Sequence, residues 1–173
     1  MRGLVLLCLF GTVLGYSKWS ESEEPDQDDD PKAGRAHCSA FSVMLRDSAC
    51  ITHHHQDRIV RYPNILLNEG NGYSESSGVF TAPLHGVYSL AVTVYNDYSR
   101  TGRGDHFCAT LQKNGVVLAS TTGDNASIAV VVNLKVGDEV SVLLPPGCRL
   151  CTTQNTFTGF LLYATTEPLP SDL

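Results

Sequence analysis

From about Phe41 onward the chain is a succession of short apolar runs separated by turn residues, and this rhythm leaves few folds open. The runs are Phe41 to Leu45, Ile65 to Leu67, Gly78 to Thr81, Val87 to Tyr95, Phe107 to Leu111, Val116 to Ala119, Ile128 to Leu134, Val140 to Leu144 and Phe157 to Tyr163. The breaks hold Asn71-Gly72, Asn114-Gly115, Gly137-Asp138 and Pro145-Pro146-Gly147. Past the N-terminal segment no window keeps a helical period. Many short strands with turn signals between them predict an all-β sandwich or barrel. Lys113-Asn114-Gly115 is the sharpest local signal, because Asn-Gly supplies the two positive φ angles of a type I′ hairpin turn.

Three runs have two apolar or small faces. Val87–Tyr95 sets Tyr88, Leu90, Val92 and Val94 against a mixed face of Val87, Ser89, Ala91, Thr93 and Tyr95. Ile128–Leu134 sets Ile128, Val130, Val132 and Leu134 against Ala129 and Val131. The last run sets Phe157, Leu161 and Tyr163 against Phe160, Leu162 and Ala164. A sandwich strand with one solvated face alternates cleanly. These runs therefore read either as central strands lying under loops or as strands with a second buried surface, as in an oligomer.

The globular region, placed at residues 38–166, is preceded by two segments of other character. Met1-Arg2 and the apolar stretch Leu4 to Leu14 end in Val13-Leu14-Gly15, a small-residue cleavage pattern. The apolar stretch is shorter than the roughly 20 residues a membrane-spanning helix needs. Residues 1–15 are read as a signal peptide, which predicts a secreted, extracellular protein. Residues 16–37 read as an acidic, disordered stalk, with Glu21, Glu23, Glu24, Asp26, Asp28, Asp29 and Asp30 close together. The stalk has neither a Gly-X-Y repeat nor a sustained heptad. Residues 167–173 read as a C-terminal tail. The 173-residue length predicts one domain with a sizeable core. A net charge of −6 argues against nucleic acid or an anionic membrane as partner.

Secretion decides how the cysteines read. Cys8 leaves with the signal, and Cys38, Cys50, Cys108, Cys148 and Cys151 become disulfide candidates before metal ligands. Their odd number leaves one thiol free or joined to another chain. Reach bears on Cys38 and Cys50. If the first strand runs extended to Arg46, eight residues span roughly 26 Å, and four residues back cover at most about 14 Å. A Cys38–Cys50 bridge then requires a bend after Cys38, so Cys38 is favoured as an interchain link.

Gly78-Val79-Phe80-Thr81-Ala82-Pro83, followed by Gly86-Val87-Tyr88, resembles the signature of C1q globular domains, with Leu90 where that family usually has Phe. Three further blocks fit in order and spacing: Leu111 with Asn114-Gly115, Leu134 with Gly137-Asp138 and Val140, and Thr156 to Leu162. The resemblance covers about residues 40–164. It looks closest to the collagen-free cerebellin-like and complement C1q-like proteins, and Leu144 to Cys151 with Asn155-Thr156-Phe157 resembles a cerebellin-like branch found in fishes. It implies a ten-stranded jelly roll shared with tumour-necrosis-factor-like ligands, assembled as a homotrimer. Phe80, Tyr88, Phe157 and Phe160 then read as bulky core fillers, serving core and trimer packing, and Gly78, Gly86 and Gly159 as places of turning or close packing.

In such a jelly roll the Cys148–Cys151 loop follows the strand expected beside Cys108. A bridge from Cys108 to Cys148 or Cys151 is the preferred reading, with a Cys148–Cys151 bridge as the alternative. Cerebellins carry linking cysteines before the domain, where this chain has Cys38 alone. Some related trimers hold calcium with loop acids near the apex. Calcium is thus a candidate ligand, although none of the scattered turn acids Asp97, Asp105 and Asp124 can be assigned to it.

The remaining motifs also have plainer readings. His53-His54-His55 reads as a solvated loop, with a pH-sensitive patch as the alternative, because consecutive residues do not converge on one ion unaided. Arg103-Gly104-Asp105 spells an integrin-binding tripeptide, and three-residue matches are common by chance. Asn125-Ala126-Ser127 is an N-glycosylation sequon beside a Gly-Asp turn. There is no nucleophile elbow, phosphate loop or carboxylate pair, so no enzyme is expected. The expected function is extracellular recognition of a receptor, a carbohydrate or a microbial surface, innate-immune or cerebellin-like. The rival is a cytokine- or adipokine-like ligand of one receptor.

Overall fold

The computed structural model describes residues 38–45, 51–52, 56–95, 108–123, 125–151 and 154–166. Among these lie thirteen strand segments and no helix. They are β1 (Ala40–Met44), β2 (Ile51–Thr52), β3 (Arg58–Ile59), β4 (Asn64–Glu69), β5 (Tyr73–Ser74), β6 (Val79–Thr81), β7 (Gly86–Tyr95), β8 (Cys108–Lys113), β9 (Val116–Thr122), β10 (Asn125–Leu134), β11 (Glu139–Leu144), β12 (Arg149–Leu150) and β13 (Thr156–Ala164). Every apolar run corresponds to one strand. The two-residue segments β2, β3, β5 and β12 were not legible in the sequence, since two residues carry no alternation.

One sheet has the order β10-β7-β13-β1-β4, and the other β5-β6-β11-β8-β9 with β3 also paired to β11. A small third sheet joins β12 to β2. All pairings are antiparallel, and the first strand lies beside the last. Two facing antiparallel sheets with sequence-distant neighbours make a jelly-roll sandwich.

Alternation selects the inner faces. Tyr88, Leu90, Val92 and Val94 of β7 are all buried, as are Phe41 and Val43 of β1 and Phe157 of β13. The other sheet contributes Phe80, Leu111, Val140, Val142 and Leu144. Phe41 stacks on Phe80 at 4.4 Å between centroids and meets the edge of Phe157 at 4.7 Å. Such aromatic pairs add about 0.5–1.5 kcal/mol beyond their area burial. Gly159 admits the Phe41 ring, for a Cβ there would lie 2.5 Å from it and 2.6 Å from Leu90.

The β8–β9 turn has Asn114 at φ 49° and Gly115 at φ 80°, both positive as a type I′ turn requires. At the β4–β5 turn the positive angles fall on Gly70 and Asn71, one residue earlier than the Asn71-Gly72 dipeptide suggests. Asn68 sets that register, its side chain bonding both the amide and the carbonyl of Tyr73.

Two side-chain expectations are corrected. Phe160 is not a core filler, because it faces outward and is 49% exposed. Tyr163 does not share the inner face with Phe157. A bulge between Leu161 and Tyr163 shifts the register by one, which turns Tyr163 outward.

Candidate functional site

Three motif blocks that are distant in sequence meet at one end of the sandwich. Asp138 accepts hydrogen bonds from Lys113 Nζ, the Lys135 amide and Asn114 Nδ2, each at 2.8 Å. Asn114 Oδ1 accepts from the Glu139 amide at 2.8 Å, and Ala82 exchanges backbone bonds with Gly137 and Asp138. Lys113 also donates to the Asn133 carbonyl, and His85 Nδ1 accepts from the Val136 amide. Burial alone would raise the Asp138 pKa. The Lys113, Lys135 and Asn114 donors outweigh it and hold the carboxyl below its ordinary 3.8. With its oxygens engaged in this way, Asp138 acts as a structural joint between the β8–β9 and β10–β11 turns.

The opposite end is pinned covalently. Cys108 opens β8 and is joined to Cys148, with Cα atoms 5.5 Å apart. This excludes a Cys148–Cys151 bridge. Cys151 is itself disulfide-bonded, to a cysteine outside the described residues. Asn155 is fully buried. Its side chain bonds the Tyr95 amide and carbonyl and the Cys151 carbonyl, while its own carbonyl accepts from the Leu45 amide. This one residue, through side chain and main chain together, thus ties together the ends of β1 and β7 and the start of β13. Nothing in the local pattern marks this asparagine as buried.

The remaining site expectations are scattered. Cys38 is exposed and free. Asn125 is the exposed first residue of β10. Arg103-Gly104-Asp105, His53-His54-His55 and the acids Asp97, Asp105 and Asp124 lie outside the described residues. Within the described residues no three His, Cys, Asp or Glu side chains converge on a metal site, so calcium gains no assignable ligands there. A shallow cleft of about 560 Å³ is lined by Arg61, Pro63, Glu75 and Ser76.

A distinctive surface among the described residues is the outer face of the five-stranded sheet. The three runs with two apolar or small faces are β10, β7 and β13, which are adjacent. Register aligns Val131, Ser89, Phe160, Ala40 and Glu69 as one row across this sheet. Beyond that row, Tyr163 pairs with Val87. Val131 is 66% exposed and Tyr163 58%, with Phe160 and Leu162 about half exposed. Toward the disulfide end, the next rows carry Ala129, Ala91, Thr158, Ser42 and Leu67, then Ser127, Thr93, Thr156, Met44 and Asn64. Across β10, β7 and β13 the face therefore grades from apolar near the Asp138 joint to more polar near the disulfide, while β4 and β1 carry Leu67 and Met44 in those rows. Further apolar groups are exposed on the edge strands: Ile65, Leu66 and Leu67 on β4, and Val116 and Val117 on β9.

Fold and surface together define a jelly-roll domain with an apolar outer sheet face and no evident catalytic constellation among the described residues. The C1q domain model matches residues 40–162, so the chain belongs to the C1q-domain family. It is 34% identical over 138 residues to human "Complement C1q and tumor necrosis factor-related protein 9A" and 33% identical to the human protein 9B. Each match covers 73% of this chain but 39% of the relative's length. Among solved structures, the globular domain of zebrafish complement 1qA aligns with a TM-score of 0.54 at 21% identity, covering 73% of this chain and 98% of that one. Murine APRIL aligns at 0.53 and 18% identity, covering 72% and 98%. At these identities the two structures speak for the fold alone. No helix among the described residues is long and apolar enough to cross a membrane.

Proposed function

We propose that this chain is a secreted recognition protein that works as a homotrimer and binds extracellular receptors, carbohydrates or microbial surfaces without catalysis. The observation that carries the reading is the exposed group Val131, Phe160, Leu162 and Tyr163 on one sheet face. Contiguous apolar surface of this kind marks an interaction site. Additional apolar groups on the β9 edge offer a second, different surface. A contact between two different surfaces is heterologous, and it closes into a ring when the rotation permits. Secretion is supported by the Cys108–Cys148 disulfide, which belongs in an oxidising compartment. The free, exposed Cys38 lies just before β1, where it would be available to link chains.

Light scattering on the mature protein at micromolar concentration tests the assembly. The expected mass is three chains, and a monomer refutes the reading. Non-reducing gels should show bands above monomer that disappear with Cys38→Ser. A second reading, a cytokine- or adipokine-like ligand of one receptor, is favoured by relatives named for both C1q and tumour necrosis factor. A screen of glycans and receptor ectodomains, with and without calcium, separates the two: broad glycan binding supports recognition, and a single protein partner supports the ligand. Expression in liver or mucosa would favour an innate-immune role, and expression in brain a cerebellin-like one.

A further inference from the structure

We propose that Asn125 carries an N-linked glycan, and that the outer face of the five-stranded sheet is divided between this glycan and the assembly contact. The inference rests on the secretion and assembly readings above. Asn125-Ala126-Ser127 has the acceptor pattern, and both Asn125 and Ser127 are exposed. β10 is an edge strand of its sheet, and its outer-face positions Asn125, Ser127, Ala129 and Val131 are all exposed. In the reaction the Asn125 Nδ2 bonds to the anomeric carbon of a lipid-diphosphate-linked oligosaccharide. The anomeric C–O bond breaks, the lipid diphosphate leaves with that electron pair, and the amide nitrogen gives up one proton.

The division of the face follows from strand register. Asn125, Ser127, Ala129 and Val131 alternate onto the same outer side of β10. Six residues at about 3.3 Å each place Val131 roughly 20 Å along the strand from Asn125. Near Asn125 the neighbouring outer positions are Tyr95 directly opposite, whose ring carries a hydroxyl, then Ser127, Thr93 and Thr156, which lose little by staying solvated; Met44 lies farther across the sheet, beyond Thr156. The exposed Val131, Phe160, Leu162 and Tyr163 cluster at the far end. A glycan buried in a protein contact would leave hydroxyls desolvated, at a cost of about 1–3 kcal/mol for each unpaired group. On Asn125 it extends from the polar end and leaves the apolar end free.

The test uses the full chain expressed in a eukaryotic secretory cell line. Medium is treated with peptide N-glycosidase in heavy-oxygen water, and the peptide spanning Asn125 is weighed. The expected result is labelled conversion of Asn125 to aspartate, abolished by Ser127→Ala. Light scattering should give the same oligomeric order for parent and Ser127→Ala, less the glycan mass. In a third chain, Ser127→Ala with Val131→Asn and Asn133→Thr moves the acceptor into the apolar end. That chain should be secreted with a cooperative melt, glycosylated at position 131 and monomeric. A secreted parent with unmodified Asn125 overturns the glycan. A relocated glycan on a chain that still assembles like the parent overturns the division of the face. A parent retained in the cell without glycan overturns the proposal through its premise of secretion, and is distinguished by its absence from the medium.

Discussion

Phe160→Ser removes the aromatic side chain from the middle of the outer face while leaving the core untouched. Phe160 is 49% exposed, and an aromatic of this size buries about 150–250 Å² when fully covered, so about 100 Å² is available to a partner. At about 25 cal/mol per Å², covering that area contributes about 2.5 kcal/mol per protomer. Three equivalent contacts make about 7.5 kcal/mol, or about 5.4 decades in the trimerisation constant. The midpoint concentration for dissociation varies as the square root of that constant, so it should rise about 500-fold. Sedimentation equilibrium over a dilution series measures this directly. The monomer should keep its unfolding free energy in urea within about 0.5 kcal/mol, as surface substitutions ordinarily do. A trimer that dissociates at the parent's concentration would refute the assignment of this face to assembly. A large loss of monomer stability would instead place Phe160 in the core, against its observed orientation.

Two further outcomes follow from the ends of the sandwich. Cys108 and Cys148 are 40 residues apart, so Cys108→Ala with Cys148→Ala should lose about 4 kcal/mol in urea unfolding through the entropy of the freed loop; a loss under about 1 kcal/mol would show that the bridge constrains little. Asp138→Asn should cost about 1–2 kcal/mol near neutral pH, by turning an amide donor toward Lys113 Nζ and the Lys135 amide. Because the folded pKa of Asp138 lies below 3.8, its stabilisation is fully present above that value. It is lost as the pH falls from there through the folded pKa, so parent and variant should converge in stability in that window. A difference that stays constant between pH 7 and strong acid would count against the carboxylate's role.

The motif's meaning was sharpened by where its pieces land. Asn114, Asp138 and Ala82 come from separate blocks, yet they close one joint whose function is to hold two turns together. A family signature of this kind reports on folding, and it does not itself identify the binding surface. The exposed apolar face is formed by residues such as Val131 and Tyr163, which single runs present only as ordinary apolar positions. Asn155 was similarly hidden, because its four bonds reach the ends of strands that are remote in sequence.

The sequence by itself determined the longer strands and the Asn114-Gly115 turn. Alternation along Tyr88, Leu90, Val92 and Val94 is a local, period-two property, and the positive φ angles of Asn114 and Gly115 follow from their own chemistry. Only the tertiary structure decided which strands are neighbours, which cysteine Cys108 meets, and which way Phe160 and Tyr163 point. Those outcomes depend on pairing across long separations. A one-residue bulge reverses every side chain beyond it, and no window of sequence records the partner strand that accommodates the bulge.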